Sequence, residues 1–468
     1  MLKMFQKFFL IEYMIKPEQK LGDIPTSKEV YKTAVEIAWP SALEAVLVQL
    51  IASVDLIMVG GLGAVAIAAV GLTNQPKFIL LAIILSLNIG VTAVIARRRG
   101  EDDREGANRT LRQSILICGV LSFFLSILGF YSARPLLLFA GAKSDVINSA
   151  VTYFRIICIG NFFTSMSLTI NAAQRGIGNT KISMKTNIAA NVVNLILNYL
   201  LIEGHFGFPA LGVEGAAIAT AIGNFVGFVM SVKSITYAHG FLDISTKESW
   251  KLDKNTVASI FNISSSALIE QVFMRVGFFM TTKLIADLGT VAFATHQICM
   301  NILNISFAFG DGLGIASSAL IGQSLGAKRP DMATIYGKTL QRISMSVGCI
   351  FVFVFIIGKS FFVSLFSTDP AIIAMGAQIL IIVAITSPIQ TSQVVVTGCL
   401  RGAGDTKFVA VTSFLSIGIV RPGVTWLFCY PLGFGVLGAW FAFGTDQTLR
   451  LIINWSRFLK GEWTKIKV

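Results

Sequence analysis

The chain has 468 residues, of which 54% are hydrophobic and 13% are charged, and its formal net charge is +13. Soluble domains carry about 25% charged residues, so this composition excludes a soluble globular protein and indicates a polytopic α-helical membrane protein. The positive charge lies in short loops between apolar blocks, as the positive-inside rule expects. This distribution favours a membrane topology over nucleic-acid binding.

The N-terminal segment, residues 1–33, is basic with an apolar patch and lacks the small-residue cleavage site of a signal peptide. We expect it to lie along the cytoplasmic face of the membrane. The six cysteines of the chain all lie inside apolar segments, and none belongs to a CxxC pair. This pattern predicts small buried residues and favours neither a disulfide framework nor a metal site.

Twelve apolar segments are each long enough to cross a bilayer as a helix. They cover residues 34–60, 65–96, 113–133, 146–173, 185–203, 211–238, 256–286, 291–321, 339–360, 371–399, 405–430 and 433–459. The loops on one side of these spans are rich in Lys and Arg, whereas those on the other side are short and poor in cations. Both termini are therefore predicted to be cytoplasmic.

The two halves of the chain repeat at a fixed offset of 226 residues. Arg175 in QRGIGNTK matches Arg401 in LRGAGDTK, and Glu44 matches Glu270. Each half holds six predicted spans, and an even number gives both halves the same orientation in the membrane. The predicted fold is therefore all-α, with twelve transmembrane helices in two pseudo-symmetric six-helix lobes.

The predicted lobes are residues 34–238, with helices 1–6, and residues 256–459, with helices 7–12. A cytoplasmic linker over 239–255 joins them, and a cytoplasmic tail follows over 460–468. Two-lobed bundles of this kind place their ligand site between the lobes and open alternately to each side of the membrane. This organisation predicts a transporter.

Two carboxylates, Glu44 and Asp55, lie in the apolar stretch 37–60 of the first predicted span. A carboxylate at the centre of a bilayer costs roughly 2.5 kcal/mol or more, so it faces protein or water and is a functional candidate. Glu270 repeats Glu44 on span 7. Either glutamate is a candidate for attracting a cationic ligand in the cleft, and the alternative is a structural carboxylate paired with a nearby cation.

Spans 1, 5 and 6 of the first half carry a group of oxygen-bearing side chains: Asp55, Asn194, Asn198 and Thr220. By the repeat offset, their counterparts in the second half are mostly apolar: Thr281, Val420, Val424 and Phe443. Carboxylate, amide and hydroxyl oxygens suit a hard cation such as sodium, and a carboxylate also relays a proton. The first half is therefore expected to carry the ion-coupling chemistry.

Other polar residues inside the spans have two interpretations each. Asn74 and Gln75 precede Pro76 on span 2, where they either line the cleft or stabilise a kink. His296 on span 8 is interpreted as a core residue with its hydrogen bonds satisfied.

Further charged residues lie within the predicted spans of the second half. Asp311 lies in a glycine-rich stretch where helix backbones pack closely, which indicates a structural or gating role. Arg421 on span 11 is an intramembrane cation that needs an anionic partner, and Asp446 on span 12 is the candidate.

The segment AWPSALEAVLVQLIASVDLIMVGGLG, the RGxGxTK loops after spans 4 and 10, and IGQSLGAKRPD after span 8 resemble the multidrug and toxic compound extrusion (MATE) family over essentially the whole chain. The resemblance implies secondary active efflux of amphipathic, often cationic, organic compounds, driven by inward proton or sodium flow. We expect a monomer in the cytoplasmic (inner) membrane, with membrane lipids as its other partners.

Similar MATE proteins build the cation site of the first lobe from an Asp in VDxIMVG, an Asn and an Asp four residues apart on span 5, and a Thr on span 6. Carried over, these positions are Asp55, Asn194, Asn198 and Thr220. Asn198 departs from the pattern, which has Asp there, so one titratable group is lost and Asp55 becomes the main coupling candidate. An Asn carbonyl still ligates sodium, so the sequence leaves both ions open.

Two other functions would require features that this sequence lacks. A lipid-linked saccharide flippase of similar fold would need a cationic cavity for diphosphate, and the acids on spans 1 and 7 argue against it. A membrane-embedded enzyme would need a nucleophile–base pair or a metal cluster. The sequence contains no Walker, HExxH, nucleophile-elbow or CxxC motif, so we expect neither enzymatic activity nor a cofactor.

Overall fold

The computed structural model describes residues 10–142, 144, 146–236, 240–244 and 249–466. Parts of four predicted segments lie outside the described residues: 1–9 of the N-terminal segment, 237–238 of the sixth span, 239 and 245–248 of the linker, and 467–468 of the tail. The described part of the chain is built from helices and contains no β-strand.

Twelve long helices run through the described residues. In the first half they are α1 (Ser27–Gly60), α2 (Ala64–Gly100), α3 (Arg104–Tyr131), α4 (Ile147–Gly176), α5 (Thr180–Ile202) and α6 (Gly212–Thr236). In the second half they are α7 (Lys254–Ala286), α8 (Thr290–Gly326), α9 (Pro330–Ser364), α10 (Pro370–Gly402), α11 (Thr406–Cys429) and α12 (Gly435–Lys460). A short helix, Ala133–Phe139, precedes α4.

The predicted twelve-helix layout is confirmed. Ten of the long helices are apolar enough over 18 residues to cross a membrane by composition alone. The other two are α5 and α12, in which polar and charged side chains are distributed along the apolar sequence. Because polar side chains inside a bilayer must face protein or water, these two helices are where functional chemistry is expected.

Several helices extend beyond their predicted spans into the charged loops. α3 begins at Arg104, where the Asp103 carboxylate accepts a hydrogen bond from the Gly106 N–H at 2.9 Å and caps the helix. Before α7, Asp253 accepts from the Thr256 hydroxyl at 2.7 Å and the Thr256 N–H at 2.9 Å. These two hydrogen bonds lower the pKa of the Asp253 carboxyl below its ordinary value.

The helices group into two compact units. The N-unit is Val46–Ser264, and the C-unit combines Met1–Ala45 with Ser265–Val468. Both divisions fall inside a helix, so α1 and α7 each contribute one segment to each unit. Glu44 therefore belongs to the C-unit and Asp55 to the N-unit, although both lie on α1. The lobe boundaries inferred from the loops stay a prediction.

The two units share one packing plan. In the N-unit, α4 is central and contacts α2, α3 and α6, while α5 packs on α6. In the C-unit, α10 is central and contacts α8, α9 and α12. A Cβ atom on Gly398 of α10 would overlap the Gly314 carbonyl of α8, so this close helix contact requires glycine. The two central helices, α4 and α10, are also the helices that the internal repeat of 226 residues relates to each other.

All six cysteines are free thiols, and five of them are buried. Cys349 lies on an exposed face of α9, so the prediction that every cysteine is buried is wrong at this position. Lipid tails are as apolar as a protein core. A lipid-facing side of a membrane helix therefore has the same composition as a core-facing side.

Candidate functional site

A polar cluster in the N-unit connects α1, α5 and α6. Its members are the four residues selected from the sequence, Asp55, Asn194, Asn198 and Thr220, and hydrogen bonds connect all four. The Asn198 amide nitrogen donates to Asp55 Oδ1 at 2.8 Å. The Asn194 amide contacts the Thr220 hydroxyl at 3.1 Å.

In one of its two amide orientations, both the side-chain nitrogen and the side-chain oxygen of Asn194 form hydrogen bonds. In that orientation its nitrogen donates to both carboxylate oxygens of Asp55 at 3.0 Å, and its oxygen accepts from the Thr220 hydroxyl at 3.1 Å. Two amide N–H groups then face one carboxylate. Hydrogen bonds of this kind stabilise the charged form of an acid.

The spacing of the two asparagines in the sequence explains why both amides contact the Asp55 carboxylate. Asn194 and Asn198 are four residues apart on α5, so they lie on one face of the helix. Both are buried, at 5% and 1% exposed. On α6, a Cβ atom at Gly223 would lie 2.6 Å from the Ala190 carbonyl oxygen, so glycine is what allows α6 to approach α5 beside this cluster.

The polar cluster can bind and release a single positive charge. Asp55 is its one carboxylate, and it is half-buried. The Asn198 oxygen is buried and has no hydrogen-bond partner among the described residues, so it is a free acceptor beside the acid. Groups of three or more His, Cys, Asp or Glu that would hold a metal ion do not occur in the described part of the chain.

Sequence reasoning missed two neighbours of Asp55. Lys77 on α2 is half-buried and interacts electrostatically with Asp55. Tyr153 on α4 also interacts electrostatically with Asp55 and packs in the apolar cluster that contains Val59. The signal for Lys77 was available, because a charged residue within an apolar span is a functional candidate by the rule that selected Asp55.

Glu270 has a cationic partner in the C-unit. Arg401 of α10 donates to Glu270 Oε1 at 2.7 Å, and the Ser413 hydroxyl of α11 donates to the same oxygen at 3.0 Å. Glu270 is 1% exposed. This geometry supports the structural interpretation of Glu270, with Arg401 of the RGxGxTK motif as the partner.

The remaining cleft candidates do not join the polar cluster. Glu44 is buried, at 9% exposed, on the α1 segment that belongs to the C-unit. Asn74 and Gln75 lie on an exposed face of α2, which continues as a helix through Pro76. Asp311 is exposed on α8 in the C-unit. A role for Glu44, Asn74 and Gln75 in substrate binding stays a prediction, and so does a structural or gating role for Asp311.

The C-unit carries a charged network next to the positions equivalent to the polar cluster. Arg421, adjacent to Val420, forms a direct ion pair with Asp446, which lies three residues beyond Phe443. Arg450 contacts the same Asp446 oxygen at 3.2 Å. The expected pairing of Arg421 with Asp446 is thus confirmed. Next to the positions equivalent to the polar cluster, the second half is charged and not apolar.

Comparison with known proteins gives one family and a consistent set of relatives. The family model described as MatE matches residues 40–200 and again 267–427, one match in each half, as the internal repeat predicts. A probable multidrug resistance protein NorM of Thermotoga maritima is 27% identical to this chain, and the alignment covers 93% of this chain and 94% of the relative. Multidrug resistance protein PmpM of Pseudomonas aeruginosa is 25% identical, with 86% of each chain covered.

Solved structures share the fold. A structure described as the outward-facing conformation of a multidrug resistance MATE family transporter of the MOP superfamily matches with a TM-score of 0.86. It is 19% identical and covers 92% of this chain and 97% of its own. At this identity the likeness concerns the fold alone.

Proposed function

Because the chain belongs to the MatE family, whose model matches both of its halves, we propose that it exports small organic compounds in exchange for an inward-moving cation. Members of this family are transporters, so the chain is a multi-pass membrane transporter and not an enzyme. The hydrogen bond from Asn198 to Asp55 carries the proposal. It places the one carboxylate of the polar cluster against the buried face of α5, in a half that matches the family.

Asp55 is the coupling group in this proposal. It gains the incoming cation on one side of the membrane and releases it on the other. The compound to be exported and the cation favour opposite states of the transporter, and this difference in free energy couples their movements. Asn194 and Asn198 hold the carboxylate in one position throughout, because both donate to it.

The hydrogen-bond pattern favours the proton over sodium as the coupling ion. A sodium site needs several oxygen ligands directed at the ion. The amide nitrogens of Asn194 and Asn198 face Asp55, which leaves the Asn198 oxygen as the one free acceptor found beside the carboxylate among the described residues. Lys77 supplies a positive charge that interacts with the same carboxylate. A proton needs no ligand shell and binds to a carboxylate oxygen directly.

The proposed substrates are amphipathic organic cations. Support comes from the relatives, two of which are named as multidrug resistance proteins. Glu44 is a buried acid, and a carboxylate at this place would attract a cationic compound. The alternative, a lipid-linked saccharide flippase, is not favoured, because no relative considered above carries such a name and the polar cluster is acidic.

The direct test uses purified full-length protein in proteoliposomes with an ethidium-type dye. A pH gradient alone and a sodium gradient alone are imposed in separate experiments, and dye accumulation is followed by fluorescence. We expect the pH gradient to drive accumulation and the sodium gradient to have no effect. Accumulation under neither gradient would contradict the antiporter assignment, and accumulation under sodium alone would contradict the choice of ion.

The proposal includes the setting of the transporter. We place it in the cytoplasmic (inner) membrane as a monomer, with both termini in the cytoplasm and lipids around its apolar faces. The charge distribution of the loops supports this orientation. Protease accessibility of tags at each terminus in inside-out vesicles would test it.

A further inference from the structure

The C-unit contains a buried network with more positive than negative charge. The guanidinium groups of Arg421 on α11 and Arg450 on α12 both contact one oxygen, Oδ2, of Asp446. The other oxygen of Asp446 accepts from the Ser416 hydroxyl at 2.6 Å. Arg421, Arg450 and Asp446 are 2%, 7% and 0% exposed. Among the described residues neither arginine pairs with a second carboxylate.

The surplus charge cannot be removed by titration of the arginines. A guanidinium does not lose its proton inside a protein, so two cations and one carboxylate leave one positive charge. His296 interacts electrostatically with Arg421 and adds no negative charge. Its buried Nδ1 has no hydrogen-bond partner among the described residues, so the expectation of a core histidine with its hydrogen bonds satisfied is wrong. Aromatic rings of Phe278 and Phe443 lie 4.8 and 5.1 Å from Arg421 and cover its faces. A buried charge without a counter-charge is costly.

The same network has N–H groups with no acceptor. The Nε atoms of Arg421 and Arg450 and both the nitrogen and the oxygen of the Gln447 amide are buried and have no hydrogen-bond partner among the described residues. Gln447 is 0% exposed. It lies three residues before Arg450 on α12, so the two side chains are neighbours on one helix face. Unpaired buried donors are rare in folded proteins.

The backbone of α11 departs from a regular α-helix beside this network. Residues Phe414–Val420 of α11 form a π-helical turn, and Ser416 within it reaches Asp446. A Cβ atom on Gly277 of α7 would overlap the Ile417 carbonyl, so glycine allows α7 to pack closely on this turn. π-Helical turns occur frequently at functional sites. The network is therefore held by three helices of the C-unit.

We propose that a small monovalent anion, of which chloride is the physiological example, binds to the free N–H groups of Arg421, Arg450 and Gln447. One negative charge neutralises the surplus, and a spherical anion accepts several N–H groups at once. This site lies in the C-unit and is independent of Asp55. The proposed anion site therefore does not depend on the proposal that the chain exports drugs.

The test measures the thermal stability of the full-length protein in detergent as chloride replaces gluconate at constant ionic strength. We expect a saturable rise in Tm of about 2–5 °C in chloride. The variant Arg450→Gln leaves a one-to-one pair of Arg421 and Asp446, so its Tm should be the same in both salts. Arg457→Gln is the control, because Arg457 pairs with Asp405 at 2.9 Å elsewhere, and it should keep the chloride effect.

An equal Tm of the unaltered protein in both salts would overturn the proposal. So would a chloride effect of the same size in Arg450→Gln, because it would show a general salt effect. Crystals of the unaltered protein soaked in bromide give a readout that needs no variant. An anomalous peak beside Arg421 and Arg450 supports the anion site, and ordered water in its place overturns it.

Discussion

Arg401 donates from Nη2 to Glu270 Oε1 at 2.7 Å, across 131 positions of sequence. The pair connects α7 to the RGxGxTK motif at the end of α10. It gives the motif a structural task in the C-unit, because the arginine neutralises a carboxylate that is 1% exposed. Breaking a buried ion pair by removing one partner is destabilising, since it leaves the other charge without compensation.

We therefore expect Glu270→Gln to lower stability and leave transport per folded molecule unchanged. The loss should be roughly 1–3 kcal/mol, because a charged hydrogen bond to Arg401 is replaced by a neutral one. Tm and dye efflux normalised to protein amount measure the two effects. Glu36→Gln is the control, since Glu36 makes an exposed contact with Lys32 at 3.9 Å, and pairs of this kind contribute little. Lost efflux at unchanged Tm would instead give Glu270 a coupling role.

Asp55→Asn should reduce dye efflux to the level of cells without the protein. The change keeps the shape of the side chain but removes the one carboxylate of the polar cluster, so no cation can be exchanged there. Efflux assays together with immunoblots of membrane fractions separate lost transport from lost protein. Asp287→Asn, at an exposed acid after α7, should export normally. Efflux by Asp55→Asn above half of the normal rate would remove Asp55 from the mechanism.

Lys77→Met should reduce proton-driven efflux, whereas Lys77→Arg should retain more than half of it. Methionine removes the positive charge that interacts with Asp55, and arginine keeps it. If the lysine occupies the place of a bound cation, sodium should stimulate the methionine variant but not the unaltered protein. Efflux with and without sodium measures this. Lys283→Met, at an exposed lysine of α7, is the control, and equal efflux by Lys77→Met and the unaltered protein would contradict the role.

Gly223→Ala should lower both stability and efflux. The added Cβ atom would meet the Ala190 carbonyl at 2.6 Å, so α6 must move away from α5 and separate Thr220 from Asn194. Overpacking of this kind costs about 1–3 kcal/mol. Gly71→Ala on α2 is the matched control, because nothing lies within 4 Å of its added Cβ atom. Equal Tm values for the two variants would contradict this, because they would show that the α5–α6 contact accommodates the added methyl group without loss of stability.

The twelve helices and their grouping by halves were predictable from the sequence. Length and hydropathy define a membrane helix, because every backbone polar group must be satisfied within the bilayer. The repeat at 226 residues predicted two pseudo-symmetric halves, and the helices α4 and α10 that it relates are each central in their unit. The convergence of Asp55 with Asn194, Asn198 and Thr220 was expected from the resemblance to the MATE family, and the hydrogen bonds agree with it.

Several other pairings between helices were decided by the tertiary structure alone. Hydropathy reports how apolar a helix is, but not which neighbour each of its sides faces, because lipid and protein core are equally apolar. The pairing of Glu270 with Arg401, the sharing of Asp446 by two arginines, and the exposure of Cys349 all depend on helix rotation. The sequence determined which charges enter the membrane, and packing determined which of them meet.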